Sequence, residues 1–118
     1  HCLKPQIHAH SAESFAHWAN GMSRLADQTG AFCKFSALIT EARADWTVAD
    51  LKPYVDHILS AFGPDRVMWG SDWPVCLLRG SYDDWVQAAR GLVAHLPPAD
   101  QARIFGGTAA EFYGIPAP

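Results

Sequence analysis

The sequence predicts an α/β fold built on a parallel sheet. Stretches with helical apolar spacing alternate with short β-favouring stretches, in the order helix, strand, helix, strand, helix, and that alternation is the mark of βα units. The run Val67-Met68-Trp69-Gly70 is short and apolar throughout, as strands buried on both faces are. Directly after it the polarity flips to Ser71 and Asp72, and Pro74 stops the strand. A carboxylate in that position stands at the C-terminal mouth of an α/β sheet or barrel, where ligands bind. An Asp there also shapes turns or caps helices, and spacing alone leaves both roles open.

Taken in order, the chain opens irregularly over His1 to Ile7, with Pro5 preventing a helix. It starts without an initiator Met or a capping signal, which reads as a fragment. From Ser11, which can cap it, a helix is signalled by Phe15, Trp18, Ala19, Met22, Leu25 and Ala26, with Gly30 as its C-cap. Residues 31–38 (AFCKFSAL) alternate in part and read as a strand, and Ile39 to Trp46 reads as a loop. Thr47 can cap a second helix over about 48–62, whose buried stripe is Leu51, Tyr54, Val55, Ile58, Leu59 and Phe62. Pro53 falls in its first turns, where a missing N–H costs least. Gly63-Pro64-Asp65 turns the chain into the central strand. After Pro74 come a loop, a helix over about 82–94, and the breakers Pro97 and Pro98. A short helix over 99–105 and Gly106-Gly107 come next, with Thr108 capping a last turn through Tyr113. Nothing marks a second domain: residues 1–118 read as one.

Composition bounds the partners. The chain is 49% hydrophobic and 18% charged, the balance of an ordinary globular protein, and five Trp point to packed, water-excluding surfaces. A net charge of −3, with no Lys/Arg cluster, gives no field for nucleic acid. No apolar run is long enough to span a membrane, and no secretory signal is present. Cys2, Cys33 and Cys76 form no CxxC pair. They read as free thiols in a reducing, cytoplasmic setting, with Cys33 and Cys76 as small core residues.

Several residues are candidates for chemistry. His8-Ala9-His10 is spelled like a barrel metal pair, but no apolar strand precedes it, and a solvated loop explains it better. His57 falls among apolar helix positions and reads as structural; His17 and His95 read as helix residues with nothing to act on. Glu41 would share the mouth with Asp72 if the strands are parallel. Lys34 and Ser36 would then face a barrel interior, where an unpaired Lys is costly, so Lys34 is either functional or turned outward. Gly106-Gly107-Thr108 lacks the ending of a P-loop and reads as one helix ending and another beginning.

The runs HCLKP (1–5), KFSALITEA (34–42), DLKPYVDHILSAFGPDRVMWGSDWPV (50–75) and IFGGTAAEFYGI (104–115) together resemble the C-terminal part of amidohydrolase-related TIM-barrel hydrolases. They are most similar to the L-fuconolactonase and 2-pyrone-4,6-dicarboxylate lactonase group. The resemblance implies that this chain is about the last three βα units of a (β/α)8 barrel of about 250 residues or more. It implies that His1 is an active-site histidine and that Asp72, ending the eighth strand, is the general base. In metal-bearing relatives both would also be ligands of a divalent metal such as zinc. Lys34, Ser36, Glu41 and Trp73 become candidate substrate contacts, and Trp69 reads as core. Ala37 stands where relatives often carry Gly, narrowing the room near Ser36.

The expected activity is hydrolysis of a sugar or dicarboxylate lactone, a small-molecule substrate, by the intact protein; this segment alone would be inactive. The alternatives are a zinc-dependent decarboxylase acting on a carboxylate in the same superfamily, and a non-enzymatic α/β domain in which Asp72 only turns the chain.

Overall fold

Helix α1 starts where its first side chains can replace missing backbone partners. Ser11 Oγ accepts the Ser14 N–H at 3.0 Å, and Ser14 Oγ accepts the Ser11 N–H at 3.1 Å, in a computed structural model that describes residues 1–116. The helix spans Ala12–Gln28 and buries Ala19, Met22 and Ala26, with Phe15, Trp18 and Leu25 packed beside them. Thr29, rather than Gly30, is its C-cap, and the Thr29 hydroxyl donates back to the Leu25 carbonyl at 2.6 Å.

Strand β1 is Cys33–Phe35, the middle of the expected stretch. The segment after it is not simply a loop. Ala37 takes the left-handed conformation (φ 60) and starts a single helical turn, α2, Leu38–Glu41. The physical reason is burial: one turn carries Leu38 and Ile39, both apolar, into the core, where neither is accessible to solvent.

Helix α3, Val48–Phe62, buries Leu51, Tyr54, Val55, Ile58 and Phe62 of its predicted stripe, while Leu59 is only partly buried against the core. Asp50 Oδ2 accepts both the Thr47 N–H (2.7 Å) and the Thr47 hydroxyl (3.1 Å), which fixes its first turn. Strand β2, Val67–Trp69, pairs with β1 in parallel, with Cys33 opposite Val67, Lys34 opposite Met68 and Phe35 opposite Trp69. One more rung, Gly70 N–H to the Phe35 carbonyl at 3.1 Å, brings the two strand ends level. These two strands are the whole sheet among the described residues.

At the other end of β2, Arg66 ties three segments together. Its guanidinium donates to the Ala26, Thr29 and Ala31 carbonyls, and its Nε to the Phe62 carbonyl. The unpaired C-terminal carbonyls of α1 and α3 are thus partly satisfied by one side chain.

After Pro74 the chain forms a 3-10 turn, Val75–Leu78, rather than an open loop, because burying Cys76 draws it inward. Helix α4, Tyr82–Val93, then packs Trp85, Ala88, Ala89, Leu92 and Val93 into the core. Helix α5 is Pro98–Ala102, and α6 is Thr108–Tyr113.

Between α5 and α6 the expected break at Gly106-Gly107 does not occur. Residues Arg103–Gly107 form a π-helical turn, and Gly107 and Thr108 stay in the right-handed helical region. The cause is spatial. A Cβ at Gly107 would stand 3.3 Å from the Arg103 side chain, which reaches Asp65 at 2.8 Å and Glu111 at 2.6 Å. Thr108 is no cap: it is buried, and its hydroxyl donates to the Pro64 carbonyl at 2.8 Å.

Candidate active site

Three segments far apart in sequence converge at the C-terminal ends of β1 and β2. Ser36 comes immediately after β1 and is buried, its N–H turned back to the Lys34 carbonyl at 3.0 Å. Asp72 stands beyond the end of β2 in the left-handed region (φ 54), a conformation that is sparse for a non-Gly residue and clusters at functional sites. Its carbonyl accepts the Cys76 N–H at 3.0 Å, so the next turn fixes it. The indole N–H of Trp85 donates to the Gly70 carbonyl at 3.1 Å and holds the strand end just before it.

His1 lies between the two. Its Nδ1 is 2.7 Å from Ser36 Oγ, and its Nε2 is 3.5 Å from Asp72 Oδ1. The His1 side chain is 39% exposed and that of Asp72 18%, so the pair is open on one side and sheltered on the other. The arrangement admits two consistent proton placements. With Nε2–H facing Asp72, Nδ1 accepts the Ser36 hydroxyl proton; with a cation between Nε2 and the carboxylate, Nδ1–H donates to Ser36 instead. Either way the serine fixes the ring.

The backbone that presents His1 is tightly bent. Cys2, Leu3 and Lys4 all have positive φ (51, 56 and 50), and the Lys4 N–H closes the turn on the His1 carbonyl at 2.8 Å. The Cys2 thiol donates to the Lys34 carbonyl at 3.0 Å, and the Trp18 indole N–H donates to the Cys2 carbonyl at 2.8 Å. Cys33 donates toward the Cys2 sulfur at 3.8 Å. That hydrogen bond, reinforced by burial, pushes the Cys33 thiol pKa far up. Cys33 and Cys76 are both buried core residues, as expected.

The other candidates lie around this row without touching it. Lys34 is the middle residue of β1, with its Nζ 5.6 Å from the centre of the Tyr113 ring. It is turned to the exposed side, along an open depression of about 360 Å³ that His1 also lines. Glu41 closes α2 and lies at the same end as Asp72, since α2 packs against the turn at Val75–Leu78. Trp73 is 64% exposed at the rim beside Asp72. His8 and His10 point to different partners, the Glu41 carbonyl (3.1 Å) and the Tyr54 hydroxyl (2.7 Å), so they do not form a joint metal pair. His57 is structural, with Nε2 2.9 Å from the Ala19 carbonyl.

Residues 1–115 match the family model described as Amidohydrolase. The chain belongs to the amidohydrolase family. It is 41% identical over 113 residues to the L-fucono-1,5-lactonase of Burkholderia multivorans, covering 89% of the chain and 38% of that protein. It is 38% identical to the L-fucono-1,5-lactonase of Burkholderia ambifaria, with 100% of the chain and 41% of that protein covered. Among solved structures, it superposes on a Burkholderia multivorans amidohydrolase crystallised with bound zinc with a TM-score of 0.90, at 37% identity, over 98% of this chain and 43% of that one. The chain thus spans about two fifths of the length of these relatives. The superposition gives this chain the same mixed helix–strand architecture as the matched part of that protein.

Sequence reasoning picked out His1, Ser36 and Asp72 but not the supports behind them. Trp18 reads only as an apolar helix position, and Trp85 falls in the helix over about 82–94 without being singled out. The available signal was chemical: an indole carries a donor, and a buried Trp usually finds an acceptor.

Proposed function

We propose that this chain is the C-terminal portion, about three βα units, of a (β/α)8 barrel, and that it carries the general base of a lactone hydrolase, Asp72. The single observation that carries the reading is the approach of His1 Nε2 to Asp72 Oδ1, 3.5 Å, at the C-terminal ends of two level parallel strands. The lactonase names of the relatives support the substrate class, a sugar 1,5-lactone.

The chemistry comes from the groups present. Asp72, partly sheltered and held at a strand end, accepts a proton from a water molecule as that water attacks the lactone carbonyl. The ring C–O bond then breaks, and the leaving alkoxide takes up a proton, giving the open hydroxy acid. His1, its ring fixed by Ser36, presents Nε2 beside the carboxylate, where it orients the water or the carbonyl oxygen. Trp73 at the rim and Lys34 and Glu41 around the opening are the substrate contacts this reading assigns.

A divalent metal fits the same pair. Two ligands of one tetrahedral zinc with bonds of about 2.0–2.1 Å stand about 3.3–3.4 Å apart, close to the His1–Asp72 separation. His1 and Asp72 would hold the ion, with the Ser36 contact as the outer support that metal-bound histidines need. Such an ion supplies Lewis acidity and lowers the pKa of bound water. No group of three or more metal-ligating side chains occurs among the described residues, so the remaining ligands would come from the part of the barrel this chain does not span.

The test is Asp72→Asn in the full-length enzyme that contains this segment, assayed on a sugar 1,5-lactone. General-base catalysis is worth about 10²–10⁴-fold, so kcat falls by that much while the melting temperature holds. Near-parental turnover would make Asp72 a turn residue. Loss of carboxylate-substrate decarboxylation, with no lactone turnover in the parent, would assign the other chemistry.

A further inference from the structure

The turn that leads away from His1 keeps three consecutive non-Gly residues, Cys2, Leu3 and Lys4, in the left-handed region. For L-residues that region is disfavoured, and the hydrogen bond inside the turn, Lys4 N–H to the His1 carbonyl, is joined by contacts from outside it.

The tether is on α1. The Trp18 indole N–H donates to the Cys2 carbonyl at 2.8 Å, at the residue that joins His1 to the turn. The indole is itself wedged by aromatic neighbours on both helices, with ring centres 5.8 Å from Phe15, 5.1 Å from Tyr54 and 5.5 Å from His57. The His57 ring is anchored in turn to the Ala19 carbonyl of α1. The donor thus sits on a rigid platform formed where α1 meets α3. The Cys2 thiol, bonded to the Lys34 carbonyl, fixes the same residue to β1 from its other side.

We propose that Trp18 is a positioning residue for His1. Its indole N–H holds the left-handed turn in the one conformation that directs the imidazole between Ser36 and Asp72. The proposal rests on the reading of His1 and Asp72 as the reacting pair. It goes beyond that reading by assigning a role to a residue that touches neither substrate nor the reacting atoms.

The test uses the full-length enzyme and Trp18→Phe, which removes the donor together with part of the ring contacts. The expected result is a fall in kcat of about tenfold or more with KM within about twofold, since small misplacements of a reacting group are costly in rate. The ring-nitrogen resonances of His1, read by ¹⁵N NMR, should move toward averaged tautomers, which a purely structural loss elsewhere would not produce. Should the Phe variant fold poorly, benzothienylalanine at position 18, with sulfur in place of the indole N–H, removes the same hydrogen bond without changing shape. Unchanged kcat, or a lowered kcat with unshifted His1 resonances, overturns the proposal. His1→Ala in parallel keeps the two ideas apart: parental turnover there removes the site reading itself, whatever Trp18 does.

Discussion

Trp85, wholly inaccessible to solvent in α4, donates its indole N–H to the carbonyl of Gly70 at 3.1 Å, and so locks the end of β2 just before Asp72. A core side chain therefore serves the site. It packs edge-on to Phe35, with ring centres 5.4 Å apart, which places it under both strands.

Trp85→Phe should separate the two jobs. It keeps most of the buried ring but leaves the Gly70 carbonyl without its donor, so stability should fall by about 1–2 kcal/mol and kcat by several-fold. Trp85→Ala adds a cavity and should cost about 3–5 kcal/mol. Denaturant midpoints and lactone turnover on the same preparations check both; a Phe variant with parental kcat would mean that Asp72 is held by the turn after it alone.

Ser36→Ala removes the only side-chain hydrogen-bond partner of His1 Nδ1 among the described residues. Losing an orienting partner of this kind typically costs about 10–100-fold in activity or metal affinity. Because the hydroxyl orients the ring without contacting substrate in the proposed mechanism, the loss should fall on kcat and leave KM nearly unchanged. Steady-state kinetics together with the zinc content of the purified variant measure it.

Acid stability should report on Asp84. Its carboxylate accepts the Ser81 N–H at 2.9 Å, and its own N–H donates to Ser81 Oγ at 3.0 Å. The hydrogen bond from the Ser81 backbone, and then the Ser81 side chain, holds this carboxyl below the ordinary range. A folded-state pKa below the unfolded one gives stability that is fully present above the unfolded value of about 3.9 and is lost as pH falls through the folded one. Asp84→Asn should therefore melt below the parent at pH 7, with the gap closing on acidification below about pH 4. Melting curves over that range decide it; a gap independent of pH would rule out the carboxylate.

How much of the fold and site was legible depends on whether the cause was local. The stripe Leu51, Tyr54, Val55, Ile58 and Phe62 is a local period, and the structure buries each of those residues. The flip from Trp69-Gly70 to Ser71-Asp72 marks a strand end because the chain passes from buried Val67 and Met68 to exposed Trp73 within a few residues. By contrast, no local rule shows that Leu38 and Ile39 turn inward on one helical turn, since that depends on the space beneath them. Gly106-Gly107 reads as a break because glycine usually is one. Here the missing Cβ makes room for Arg103, a neighbour along the same helical run. The contact of His1 with Ser36 spans 35 residues, so it exists only once the sheet has formed, and sequence could name the partners without pairing them.

Each group in the row is carried by a separate stretch of chain: His1 ahead of the 3-10 turn Ile7–Ala9 and α1, Ser36 ahead of α2, Asp72 ahead of the turn Val75–Leu78 and α4. The groups also lean on one another, since Ser36 holds the His1 ring and the Cys2 thiol donates to the Lys34 carbonyl of β1. A change in the length or packing of the β1 connection would thus shift His1 along with Ser36, while Asp72 keeps its own supports at Gly70 and Cys76.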